Sequence, residues 1–171
     1  MFAAREKDTI GDVLGCAAYS PCELEPHHAD LFWYGVHGVE TLFAIMGTGC
    51  ESVVRVQTEG TELVVGTWKD GRIGTFRGTR TGPHGYGATT YGSQGIQHAG
   101  GFAGYEPLVT EIARFFRTGQ PPVSAAETLE IFAFMEAADE SKRQNGRPVK
   151  LESVLEKARN EVAERQQSKV R

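Results

Sequence analysis

The chain has 171 residues, 40% hydrophobic and 23% charged, with a formal net charge of −4. That length supports one domain with a real core, and the composition is that of a globular chain, not a disordered one. Without a basic excess, nucleic acid and anionic membranes are disfavoured as partners.

The opening, Met1–Asp8, has the composition of a last helical turn, and Thr9-Ile10-Gly11-Asp12 reads as a turn into a strand. A chain that begins at the end of an element is expected to have lost what came before it. Nothing here resembles a secretory signal. Asp12–Tyr19 reads as a buried strand of small and apolar residues stopped by Ser20-Pro21, and Cys22–Ala29 as a loop. The cysteines Cys16, Cys22 and Cys50 are odd in number and lack CxxC spacing, which predicts reduced thiols and a cytoplasmic protein.

Asp30–Gly47 is the stretch around which the rest is organised. It predicts a helix with Asp30 as N-cap and Gly47 as its end. At about 100° per residue, Leu31, Val36, Val39, Leu42, Phe43 and Met46 share one arc. Trp33, Tyr34, His37, Glu40 and Thr41 share the other, which has two aromatics and an imidazole but no Lys or Arg, so it reads as the wall of a cleft or an interface. The run is broken by His37, Glu40 and glycines, and no stretch reaches the roughly eighteen apolar residues of a membrane span.

Glu51–Thr58, Thr61–Trp68 and Arg72–Thr81 alternate with period two and are separated by Glu59-Gly60 and Lys69-Asp70-Gly71, predicting an antiparallel meander. Tyr86–Tyr91 is expected to extend it as a fourth strand. One sheet face is assigned Val54, Val56, Val64 and Trp68, and the other Thr67, Arg72, Phe76 and Arg80. Gly92–Gly104 is expected to be a loop or irregular edge strand. Leu108, Ile112, Phe115 and Phe116 recur at helical spacing up to Gly119-Gln120-Pro121-Pro122. Ser124 and Glu127 form a capping box that opens a helix through Arg143, with Leu129, Phe132, Ala133 and Ala137 toward its buried side. Pro148–Leu151 suits a short edge strand. The first 151 residues are read as one domain and 152–171 as a charged, helical, loosely attached tail.

His37 is the best single candidate for chemistry, since an imidazole between Tyr34 and Thr41 on one helical face can exchange a proton or hydrogen bond with a hydroxyl near neutral pH. The competing reading is a histidine satisfied by a backbone carbonyl or by Glu40. Cys22 with His27, His28 and His37 matches no common zinc spacing. No phosphate-binding loop is present: Gly47-Thr48-Gly49 follows a helix, and the run Gly100–Gly104 has no βαβ frame around it.

The segments FWYGVHGVETLFAIMG, GTWKDGRIGTFRG and YEPLVTEIARFFRTGQPPVSAAETLEIFAFMEAADESKRQNGRPVKL resemble the C-terminal domain of the Gfo/Idh/MocA oxidoreductases, over roughly Ile10–Leu151. The resemblance implies an α+β domain: an open, mostly antiparallel sheet with helices packed on one face and the other face free to form a homo-oligomer. It also implies NAD or NADP as cofactor, bound by an N-terminal Rossmann domain absent from this sequence, and a sugar or cyclitol as substrate. His37 then corresponds to the histidine on the reacting hydroxyl, with Tyr34, Arg72 and Tyr86 as candidate substrate contacts. Trp33 stands where many members carry an Asp four residues before that histidine. The implied role is the substrate-binding and oligomerising half of an oxidoreductase, inactive alone. The alternative is a stand-alone, non-catalytic dimeric module that binds a carbohydrate or a protein.

Overall fold

The computed structural model describes residues 9–101 and 104–169. The helix end expected at Met1–Asp8 lies outside them. Seven strands are present among the described residues: β1 (Val13–Pro21), β2 (Cys50–Gln57), β3 (Thr61–Trp68), β4 (Ile73–Thr79), β5 (Gly87–Gly92), β6 (Ile96–Gly100) and β7 (Val149–Lys150). They form one sheet in the order β6-β5-β1-β4-β3-β2-β7, antiparallel throughout except for β1 against β4. The helices are α1 (Gly35–Met46), α2 (Glu106–Thr118), α3 (Ala125–Arg143) and α4 (Leu151–Lys169). The fold is therefore α+β, with α1 and α3 on the same face of an open, mostly antiparallel sheet.

The meander β2-β3-β4 forms as the alternation and the Asp70-Gly71 turn predict. Its expected fourth strand does not follow. β1 inserts between β4 and β5, pairing Ala17 with Thr75 on one side and with Thr89 on the other. The small residues Gly15, Cys16, Ala17 and Ala18 suit that central position, where both edges are paired. The predicted face assignment is also corrected. Val64 lies opposite Arg55 and Phe76, so these three share the covered face. Val54 and Val56 fall on the uncovered face, with Val56 58% exposed. The two-residue Glu59-Gly60 turn pairs Val54 with Val65 and Arg55 with Val64, which gives Val54 and Val56 the parity opposite to Val64. Because Leu63 and Val65 are as apolar as Val64, alternation alone gives no polar face to read.

The core sits between the covered face and the helices. Cys16, Ala18, Val53, Val64 and Phe76 meet Val39, Leu42 and Phe43 of α1 and Phe134 and Met135 of α3. Phe43 is edge-on to Phe134 at 5.5 Å and tilted against Trp68 at 5.7 Å. The N-cap half of the predicted capping box forms, with Ser124 Oγ accepting from the Glu127 amide at 3.1 Å. Leu129 and Phe132, expected on the buried side, are instead exposed, and Ile131, Phe134 and Ala138 point inward. α2 has the predicted amphipathic spacing, yet none of its residues is buried. The tail helix is anchored by Leu151 and Val154, which are buried, while Val162 is exposed.

One close approach fixes α1 against the sheet. A β-carbon added at Gly38 would stand 2.7 Å from Phe76 Cδ2 and 2.8 Å from Ser20 Oγ, and both side chains are fully buried. Gly38→Ala is therefore expected to cost about 1–3 kcal/mol by overpacking, more than the helix propensity gained. A urea melt checks it, and a stabilised variant would refute the close packing.

Candidate functional site

The expected N-cap at Asp30 is corrected. Asp30–Phe32 form a 3-10 turn, the backbone breaks at Trp33 (ψ −95°), and the α-helix begins at Gly35. Asp30 does not cap a helix because its carboxylate is engaged at long range: it accepts from Arg55 Nη2 at 2.8 Å, Arg80 Nη2 at 2.5 Å and Lys142 Nζ at 2.7 Å. Arg55, whose side chain is wholly buried, also donates from Nε to Glu62 at 2.8 Å and from Nη1 to Asp139. Arg80 completes the set with bonds to Glu62 Oε1 at 2.7 Å and to the Cys22 carbonyl at 2.7 Å. Three acids thus balance three bases, which is how charge is tolerated at this depth. Burial alone would raise Asp30, but hydrogen bonds from Lys142 and Arg80 and the Arg55 charge bring it down to about 2. Burial pushes Asp139 up to about 6 despite Arg55 beside it.

This cluster was not foreseen as a unit. Its signal in the sequence is the inward register of Arg55 and Glu62, each two residues from an inward valine. Its effect is to clamp the segment that carries Trp33 and Tyr34 and leads into His37.

Beyond the clamp lies a cavity of about 820 Å³. The outward arc of α1, with His37, Glu40 and Thr41, forms one wall together with Trp33 and Tyr34 from the turn before it, and Tyr86, Gly101 and Tyr105 close it from the strand end and the start of α2. The aromatics make a connected set: Trp33 on Tyr34 at 5.6 Å, Tyr34 on His37 at 6.2 Å and His37 on Tyr86 at 6.2 Å, all edge-to-face. His28 stacks on Trp33 at 4.6 Å and is itself paired with Glu25 at 2.6 Å.

His37 Nδ1 lies 3.3 Å from Glu40 Oε2. An ionised carboxylate only accepts, so Nδ1 carries the proton in this contact, and in a neutral ring Nε2 remains an acceptor for a ligand hydroxyl. Burial, followed by the charges of Tyr34, Glu23 and Tyr105, raises the Tyr86 phenol above its ordinary range and keeps it a donor. An acceptor and a donor among aromatic faces can orient a small hydroxylated ring.

Of the residues named from the sequence, Tyr34, His37 and Tyr86 line this cavity. Arg72 does not line it; its Nε is bound by Asp70 at 2.7 Å in the β3–β4 turn. Tyr105 was not anticipated, since an isolated tyrosine ahead of a helix carries no local signal.

Among the described residues, neither of two strand-to-helix connections has the form of a dinucleotide-binding loop. The β1-to-α1 connection, Cys22–Tyr34, contains no glycine, and β6, which leads to α2 through Gly101 and Gly104, is an antiparallel edge strand. Among the described residues no group of three His, Cys, Asp or Glu side chains could hold a metal, and no helix is long and apolar enough to cross a membrane.

No family model matches the sequence, and no curated protein matches it. Solved structures do. The chain is similar to a probable dehydrogenase from Thermotoga maritima, with a TM-score of 0.71 and 20% identity over 88% of this chain and 60% of that one. It is similar to the myo-inositol dehydrogenase of Lactobacillus casei, solved with NAD(H) and myo-inositol, with a TM-score of 0.67 and 14% identity over 85% of this chain and 56% of that one. It is also similar to the myo-inositol 2-dehydrogenase of Lactobacillus plantarum, with a TM-score of 0.70 and 12% identity over 85% and 58%. The fold is that of the C-terminal domain of Gfo/Idh/MocA-type dehydrogenases, and this chain spans only 56–60% of the length of these three proteins.

Proposed function

We propose that this chain is the substrate-binding and oligomerising half of an NAD(P)-dependent oxidoreductase acting on a sugar, cyclitol or related hydroxy compound in the cytoplasm, and that it is inactive alone. The observation that carries this reading is the cavity on the outward arc of α1, where His37, Tyr34 and Tyr86 converge in a fold shared with NAD-binding dehydrogenases. His37 is the catalytic residue in this reading. Its Nε2 takes the hydrogen of the reacting hydroxyl, while Glu40 holds Nδ1. Tyr34 and Tyr86 hold the ring of the substrate. The hydride acceptor, NAD or NADP, belongs to a domain outside this chain, and no residue here is assigned to it. The uncovered sheet face, with Val56, Ile73, Tyr91 and Ile96 all more than two-fifths exposed, supports homo-oligomerisation through that face.

Calorimetry with a panel of sugars and cyclitols tests the reading. At least one is expected to bind, and His37→Ala should weaken it about tenfold through the lost hydrogen bond. The same chain should leave NADH fluorescence unchanged at micromolar concentration. Absence of binding across the panel would overturn the substrate role, and a fluorescence change would place the cofactor site in this chain. Sedimentation reports the oligomer.

A further inference from the structure

We propose that this cavity selects a hydroxylated ring bearing an ammonium group, an amino sugar or an aminocyclitol, over its neutral and carboxylated counterparts. The inference rests on the reading of the cavity as a substrate site.

Four aromatic residues, Trp33, Tyr34, Tyr86 and Tyr105, line the space, and aromatic rings attract a cation placed over a face. Glu40 places a carboxylate in the same wall, with its side chain 57% exposed and His37 as its salt-bridge partner. A second carboxylate, Glu23, is near enough to act on the Tyr86 phenol, and its own partner is His84 at 3.3 Å. The described lining residues include no Lys or Arg. Arg55, Arg80 and Lys142 are engaged by Asp30, Glu62 and Asp139, and Arg72 by Asp70.

An ammonium entering this space meets π faces and one or two carboxylates. A sugar carboxylate or phosphate meets the same carboxylates with no fixed cation to offset them. A neutral polyol can donate a hydroxyl to Glu40 as well, but only an ammonium adds a charge attraction to that carboxylate, so Glu40 at the cavity wall favours the amine.

The test is a fluorescence titration of the full 171-residue chain, whose two tryptophans are Trp33 and Trp68. Trp68 is 1% exposed and Trp33 is 40% exposed, so a ligand-induced change reports the cavity, and Trp33→Phe should abolish it. Glucosamine, glucose and glucuronate offer one ring scaffold bearing an ammonium, a hydroxyl or a carboxylate. 2-Deoxystreptamine and myo-inositol make the same comparison on a cyclitol.

The amine of each set is expected to bind roughly tenfold more tightly than its neutral counterpart, with the ratio shrinking as salt is added, and glucuronate is expected to bind most weakly. Glu40→Gln keeps an amide oxygen to accept from His37 Nδ1 but removes the charge, so it should weaken the amine more than glucose or myo-inositol and remove most of the amine's advantage. Equal or tighter binding of the neutral or acidic sugar, or an amine preference that survives Glu40→Gln, would overturn the inference and leave the substrate reading standing. No binding by any of the five would overturn both.

Discussion

Replacing Arg55 with alanine is expected to cost about 3–5 kcal/mol, the largest loss of any single substitution considered. Its guanidinium is the hub of the clamp, donating from Nε to Glu62, from Nη1 to Asp139 and from Nη2 to Asp30. Removing it leaves Glu62, whose side chain is 1% exposed, and the partly buried Asp30 and Asp139 with only Arg80 and Lys142 for compensation. The penalty comes mainly from those uncompensated carboxylates, because forming a buried pair from solvated ions gains little in itself. Arg55→Lys should recover only part of the loss, since one ammonium cannot reproduce a planar fork that reaches three acceptors. Urea unfolding of both variants checks this, and a loss below about 1 kcal/mol in the alanine variant would show the cluster to be ornamental. The site should respond as well. Asp30 lies three residues before Trp33 and seven before His37, so a slackened clamp frees the start of the cavity wall, and Trp33 emission should move toward that of a solvated indole.

Much of this arrangement was legible in the sequence, and the parts that were not share a cause. β2, β3 and β4 follow from period-two alternation and Asp70-Gly71. The outward arc of α1 follows from the 3.6 period, which brings His37 to the same side as Tyr34 at the helix start. Both are local signals. β1 is placed between β4 and β5 by pairing with residues 58 to 79 positions away, which no local pattern reports. Asp30 reads as an N-cap because an acid ahead of an apolar run usually is one; its true partners come from β2, from the end of β4 and from α3. The same limit applies to the cavity. Tyr86 and Arg72 are both candidate substrate contacts by sequence, yet Tyr86 lines the cavity and Arg72 does not. The local sequence held a warning about Arg72, since Asp70 two residues earlier is well placed to bind it within the turn. α2 shows the opposite case: its apolar spacing predicted a helix correctly but said nothing about whether that face would be covered.

The clamp also sets a dependence on pH whose sign can be worked out. Asp139 is raised from 3.8 to about 6, chiefly by burial, with Asp30 and Glu136 adding to the rise and Arg55 opposing it. Between these two values the folded protein holds a proton that the unfolded chain has lost. This contribution is therefore fully present below about pH 4 and is lost as pH rises through 6, on the order of 2–3 kcal/mol in all. Asp30, lowered from 3.8 to about 2, acts in the opposite sense: its contribution is present above about pH 4 and is lost as pH falls toward 2. Together they place the clamp's greatest stability near pH 4. Asp139→Asn fixes the neutral form and keeps an oxygen to accept from Arg55. The difference in unfolding free energy between wild type and this variant should therefore be nearly constant below about pH 4. As pH rises to 7 it should shift against the wild type, because only the wild type then bears the cost of a buried charge. Urea midpoints at a series of pH values read this directly, and profiles that run parallel from pH 4 to 7 would mean that Asp139 titrates as an ordinary carboxylate. Because Arg55 joins Asp139 to Asp30, ionisation of Asp139 is felt where the chain turns into α1, so Trp33 emission should follow the same transition in wild type and not in Asp139→Asn.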